Sequence, residues 1–164
     1  MSIVMLFIKA YAAFSSIIAF SIIFDMPKNL LKYATLVGVL SWIIYSYLLY
    51  IKVDIVLQAF ITGLVVAAMS HTLARTLKAP VTMFLVPGIL PLVPGGPIYR
   101  SVYYFINDNS NLGNMYFTQT LQIAGAIAMA IFIMDSVFRQ TRRYTKRQDY
   151  EEKKKREDNV KGDY

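Results

Sequence analysis

"VPGILPLVPGGPIYR", residues 86–100, sets Pro87, Pro91, Pro94 and Pro97 beside Gly88, Gly95 and Gly96 inside an otherwise apolar run. Proline removes a backbone donor and clashes with the preceding turn, and glycine in a helix interior costs about 1 kcal/mol relative to alanine. Four prolines and three glycines within the eleven residues from Pro87 to Pro97 interrupt any helix that carries them. The fold therefore turns on whether that interruption lies inside a membrane.

The surrounding composition answers this. Hydrophobic residues make up 56% of the 164 residues and the mean hydropathy is +0.45, well above a soluble domain and in the range of an integral membrane protein. The net charge of +7 does not point to nucleic acid, because ten of the seventeen basic residues fall between Arg139 and Lys161, beyond the last apolar run. With no cysteine there is neither a disulfide framework nor a thiolate metal site.

Apolar runs lie at 3–24, 30–51, 55–74, 80–106 and 115–138, each near the roughly 20 residues a spanning helix needs. The expected fold is all-α and integral to the membrane, with five transmembrane helices, the fourth broken by the Pro/Gly-rich segment. The first run has no basic stretch ahead of it and lacks a small-residue cleavage site, so it reads as a span and not a signal peptide. Short polar connectors separate the runs, and in the first of them Asp25 is placed to cap a helix that Pro27 helps start. Residues 1–138 form the membrane domain. The basic tail, 139–164, pairs Asp149 with Lys153, Glu151 with Lys155 and Glu152 with Arg156 at four-residue spacing, which predicts a helical extension that frays. Its early arginines suit anionic lipid headgroups.

Orientation follows from the basic residues. Five crossings with the tail inside put Lys28, Lys32, Arg75 and Lys78 in the cytoplasm and leave Lys52 as the one basic residue of an outer connector. The N-terminus is then outside and the C-terminus cytoplasmic, in the plasma membrane. A re-entrant hairpin at 80–106 would turn all four residues outward, so the charge count favours a full crossing. Tyr45, Tyr47, Tyr50, Tyr103, Tyr104 and Tyr116 gather at the outer ends, where tyrosine partitions to the headgroup layer.

In the fourth run, Pro80 suits a first helical turn, Gly88 a helix C-terminus and Pro97 the first turn of a second half-helix ending near Ile106. About 89–96 is then non-helical, and such backbone survives at bilayer depth only where protein or a water-filled cavity satisfies it. The break brings a carbonyl-rich helix end and an amide-rich one to the same place, the geometry by which discontinuous helices hold small ionic solutes in transporters. A proline kink repaired by neighbouring helices is the structural alternative. Candidate solute-binding residues are Pro87, Gly88, Pro91, Pro94, Gly95, Gly96, Tyr99 and Arg100, with Gln119 and Gln122 of the fifth run facing the break. Arg100 equally suits snorkelling or a pair with Asp108, and Lys9 suits snorkelling.

Gln58, Thr62, Met69 and Thr72 share a helical face that lines a cavity or bonds neighbouring helices. His71 relays protons or bridges structure, and Asp135 is placed to pair with a tail arginine. Ala124 with Ala128, and Ala126 with Ala130, are small residues four apart that let helices approach closely. Paired intramembrane carboxylates, metal-ligand clusters and phosphate-cradling loops are absent from the sequence, so an enzyme is not expected, nor a cofactor.

"KAPVTMFLVPGILPLVPGGPIYRSVYYF" (78–105), with "IIFDMPKNLLKYATLVGVLSW" (22–42) upstream, resembles the small membrane component of the threonine/serine exporter family. The most specific residues are Pro87, Gly88, Pro91, Pro94, Gly95 and Tyr99; Phe24 to Pro27 are a weaker anchor. The resemblance implies export of a small amino acid, or a related organic anion such as a dicarboxylate, by this component together with a separately encoded larger subunit. The sequence shows no internal repeat, so alternating access requires that partner or further copies of this chain. A non-transporting membrane scaffold or assembly subunit is the competing function.

Overall fold

The computed structural model describes residues 26–162, with Tyr11, Ser15 and Ala19 ahead of them, and describes side chains up to Thr141. The expected first span, Lys9 and the cap from Asp25 lie outside the described residues. Helix α1 is Lys28–Tyr50, α2 is Ile55–Thr76, α3 is Thr82–Ile89, a 3-10 turn covers Leu90–Leu92, α4 is Gly95–Ile106 and α5 is Ser110–Gly162. Among the described residues there is no strand. Three helices are long and apolar enough to cross a membrane: α1, α2 and the Ser110–Thr141 part of α5. A fourth crossing follows if α3 with its 3-10 turn and α4, which meet at 51°, form one span.

Helix α2 is the centre of the bundle. It starts where Asp54 accepts hydrogen bonds from the amides of Val56 (2.9 Å) and Leu57 (3.3 Å), satisfying two donors that a helix start leaves open. Its buried positions, Gln58, Ala59, Thr62, Gly63, Val66, Ala67, Ser70, His71 and Ala74, recur at helical spacing and are mostly small. Small side chains are what permit close packing where lipid supplies no hydrophobic drive between helices. A Cβ built on Gly63 would lie 3.0 Å from Ala130 Cβ, so α5 passes almost backbone to backbone at that point.

Gly88 seats α3 in the groove between α1 and α2. A Cβ there would lie 2.5 Å from Val66 Cγ1 and 2.8 Å from Val37 Cγ1, which puts Val37 and Val66 side by side across the antiparallel α1–α2 hairpin. One turn further along each helix, in opposite directions, Ser41 comes level with Thr62, and after another turn Tyr45 with Gln58. From Gly88 the chain moves toward the same end, so the 3-10 turn packs against α1 and α2 at the level of these polar residues.

The broken segment departs from the sequence expectation in two respects. Gly88 lies in the last turn of α3, as expected, but without positive φ, which no glycine among the described residues has; it serves close approach. The non-helical stretch is shorter than 89–96, because Pro91 is accommodated in the 3-10 turn and Pro94 directly precedes α4. Only Val93 and Pro94 fall outside helical structure. Pro97 sits in the first turn of α4 as expected, where its missing amide costs nothing. Pro80 precedes α3 and does not open it; its carbonyl accepts from the Met83 amide at 3.2 Å.

Two apolar clusters flank the break. Ala34, Val37, Val66, Ala74 and Phe84 fill the bundle on the side of the Leu77–Val81 connector. Ala59, Leu92, Ile123 and Ile127 join the 3-10 turn to α2 and α5. Ala59 is the fifth residue of α2, about 6 Å from its start at 1.5 Å per residue. The break is therefore off-centre, toward the end that carries Tyr45, Tyr47 and Tyr50.

Candidate functional site

The prolines dictate which backbone groups the break leaves open. Pro91 has no amide to give the Pro87 carbonyl, and Pro87 has none for Met83, so α3 approaches the break short of two i+4 hydrogen bonds. At the start of α4 the Gly95 amide donates to the Val93 carbonyl at 2.8 Å, and Ile98 donates to Pro94 at 3.0 Å. Pro97 has no amide. Gly96 is then the residue of this first turn whose amide finds no backbone acceptor among the described residues, and a Cβ at either Gly95 or Gly96 would meet nothing within 4 Å.

The ten candidate residues occupy four environments. Pro87 and Gly88 are buried between α1 and α2 and pack the bundle. Pro91 and Pro94 are half-buried at the break, while Gly95, Gly96, Tyr99 and Arg100 are exposed along α4. Arg100 turns to α5: its guanidinium lies over the Tyr116 ring at 5.5 Å, with Nη1 donating to the Tyr116 hydroxyl at 3.5 Å. Tyr104 stacks on the same tyrosine at 5.6 Å, and Tyr103 stands edge-on to Tyr104 at 5.5 Å. The buried Ser101 hydroxyl donates to the Gly113 carbonyl at 3.0 Å, locking α4 to the start of α5. Gln119 and Gln122 line an open groove of about 520 Å³ with Asn111, Asn114, Met115 and Thr118. That groove is built from α5 alone and does not include the glycines or Arg100.

A second polar constellation lies inside the bundle. Ser41 Oγ, Gln58 Oε1 and Thr62 Oγ1 are buried and have no hydrogen-bond partner among the described residues. Gln58 is held in place by its amide nitrogen, which donates to the Val53 carbonyl at 2.6 Å. Sequence reasoning placed Gln58 and Thr62 on one face but missed Ser41. A lone serine on α1 carries no signal until the hairpin register brings it level with Thr62.

At the opposite end, His71 bridges structure. Its Nε2 lies 3.7 Å from Asp135 Oδ1 and its ring stacks on Phe138 at 4.8 Å. Asp135 also pairs with Arg139 at 2.8 Å, the tail arginine expected for it. Arg75 donates to the Phe138 carbonyl and covers the Phe138 ring at 4.7 Å. Met69 is half-buried and Thr72 is exposed, its hydroxyl donating to the Ala68 carbonyl, so the polar face of α2 divides into a buried half and a surface half. No group of three or more metal-ligating side chains occurs among the described residues.

Comparison with known proteins bears on what this arrangement serves. Residues 9–137 match the family described as threonine/serine exporter, ThrE. A threonine/serine exporter of Corynebacterium glutamicum is 28% identical over 99 residues, covering 60% of this chain and 20% of that protein. An uncharacterized protein of Haemophilus influenzae is 25% identical over 129 residues, covering 74% of this chain and 43% of that protein. The chain thus spans less than half the length of both curated relatives. No solved structure matches. The match covers the break, both flanking clusters and all of α1 to α4, and the chain belongs to the threonine/serine exporter family.

Proposed function

We propose that this chain is one subunit of a secondary transporter in the plasma membrane that exports a small amino acid of the threonine or serine class. The observation that carries the reading is the 51° bend between α3 and α4, where prolines strip amides from one helix end and leave the Gly96 amide open at the other. On this reading the two helices form a single broken fourth span. The chain crosses the membrane five times, with the N-terminus outside and the tail cytoplasmic, as the distribution of lysine and arginine requires. Opposed helix ends at a break suit a solute with both a cationic and a carboxylate group. The longer relatives support a requirement for a larger subunit or further copies, since this chain matches only a part of each.

The test is export of labelled threonine, serine and a dicarboxylate from vesicles holding the chain with its larger partner. Replacing Gly95 and Gly96 with alanine adds methyl groups in open space on an exposed helix start, so folding is preserved while approach of a solute carboxylate to the Gly96 amide is hindered. Export falls at matched protein levels. Arg100→Gln lowers export of carboxylate-bearing solutes more than of neutral analogues. Full export in the double alanine variant reduces the break to a kink, and absence of flux from the wild-type complex favours the scaffold reading.

A further inference from the structure

We propose that an exposed face of α5 binds a second copy of this chain, α5 against α5 in parallel, through a ladder of amide and hydroxyl side chains centred on Gln122. The surface includes no residue of the break, and its occupancy does not depend on what the chain exports.

Helix α5 carries two seams. Tyr116, Thr120, Ile123, Ile127 and Ala130 are buried or half-buried where α5 packs on α2 and α4. Asn111, Met115, Thr118, Gln122, Gly125 and Met129 follow one another at alternating spacings of four and three residues, and all six are exposed. That alternation is the 3.5-residue repeat by which a helix presents a continuous edge to another helix. Asn111, Thr118 and Gln122, with Asn114 and Gln119 beside them, line the groove on α5, and none of these five side chains makes a hydrogen bond among the described residues. Thr118 lacks even the bond to the carbonyl four residues back that Thr120 and Thr141 make on the same helix.

Depth requires that this seam be covered. The apolar part of α5 runs 32 residues, Ser110–Thr141, more than the roughly 20 a bilayer needs. The ion pair of Asp135 with Arg139 sets one limit at the membrane surface, and about 20 residues back from it is Met115. Gln122 then lies about 10 Å inside at 1.5 Å per residue. A glutamine side chain is too short to return its amide to water from that depth, and lipid offers it no hydrogen bond. No charged residue stands between Ser110 and Met134, so the seam offers a charged partner nothing to meet. A second copy fits at every level. Copies inserted with one topology run parallel, and a two-fold axis along the membrane normal sets Gln122 against its own counterpart at the same depth, as it does Asn111 and Thr118. An amide is donor and acceptor at once, so each such pair is self-complementary. Gly125, three residues on, has open space where a Cβ would stand, which lets the two helices approach closely where the amides meet.

The chain has no cysteine, so a single introduced cysteine joins two copies only where the same position of each meets on the axis. The test oxidises native membranes holding the full chain and its larger partner. Thr118→Cys, Gln122→Cys, Gly125→Cys and Met129→Cys each give a band of twice the chain's mass. Phe117→Cys and Ala124→Cys, exposed on α5 but off the seam, do not. Energy transfer between labelled copies, measured as the chain is diluted into lipid bilayers, reads the strength of association. Gln122→Leu raises the dimer Kd by roughly 5- to 30-fold, the range for a hydrogen bond between helices in a bilayer. Gln122→Asn, which keeps the amide, restores association, and Gly125→Leu weakens it. The yield of folded chain is unchanged in Gln122→Leu, because Gln122 bonds nothing within the chain. Wild-type chain that stays monomeric at every density overturns the assignment, as does cross-linking spread evenly around α5. So do cross-links to the larger subunit in place of the doubled band, and loss of export in Gln122→Leu with dimerisation intact.

Discussion

Gly88→Ala tests how α3 is seated between α1 and α2. The added methyl would sit 2.5 Å from Val66 Cγ1 and 2.8 Å from Val37 Cγ1, inside the closest approach that carbon atoms tolerate. Both valines are β-branched with restricted χ1 and are almost fully buried, so neither side chain can swing clear and the helices must move. Overpacking of this kind costs about 1–3 kcal/mol, and contact with two rigid neighbours places it toward the upper end. Alanine recovers about 1 kcal/mol of helix propensity, leaving a net loss of about 1–2 kcal/mol. The assay is reversible unfolding of the purified chain in mixed micelles, for Gly88→Ala alone and combined with Val66→Ala. The double variant recovers most of the glycine effect, since the closer contact has gone, and this coupling is the signature of direct contact. Unchanged stability in Gly88→Ala, or strict additivity with Val66→Ala, refutes the seating of α3 between α1 and α2.

Three further outcomes are expected. A cysteine at Asn109 reacts with a membrane-impermeant thiol reagent in intact cells and one at Asn29 does not; labelling at Asn29 alone overturns the five-span topology. Leucine at Ala124 and Ala128, both on the exposed side of α5, weakens association with other subunits, read by native mass and co-purification, while leucine at the buried Ala130 disrupts the contact with Gly63 and lowers the stability of the chain itself. Lys52→Gly stabilises the α1–α2 hairpin by about 1 kcal/mol in the same unfolding assay, because Lys52 holds φ at 59°, a conformation that glycine adopts without strain.

The break was legible because proline and glycine act through local covalent chemistry, which needs no tertiary context. Its edges were not. Whether Pro91 ends a helix or enters a 3-10 turn depends on the packing of Leu92 against Ala59 and Ile123, and those partners are distant in sequence. Gly88 illustrates the same limit: a glycine chosen for positive φ and one chosen for close approach look identical until Val37 and Val66 are seen beside it. The polar face of α2 was visible in the spacing of Gln58 and Thr62, yet the third member, Ser41, belongs to another helix whose register only the folded hairpin reveals. Gln119 and Gln122 show the converse. Their spacing placed them on one face of α5, but spacing cannot say which way that face turns, and the groove they line is built without any residue of the break.

The off-centre position of the break constrains how a solute moves, on the exporter reading. From the level of Ser41 and Thr62 toward the Leu77–Val81 connector, the space between α1, α2 and α3 is filled by Val37, Val66, Ala34, Phe84 and Ala74. Val37, Phe84 and Ala34 have no accessible surface. Close-packed side chains of this kind are stiff and do not part to admit an amino acid through rotamer changes alone. Passage on this side therefore requires α3 to separate from the α1–α2 groove as a unit. Gly88 lets α3 lie deep in that groove, Val93 and Pro94 are the short non-helical joint between α3 and α4, and Ser101 ties α4 to α5. The stiff element and the joint occupy adjacent stretches of one Pro/Gly-rich motif, which accounts for why packing glycines and helix-breaking prolines are interleaved there.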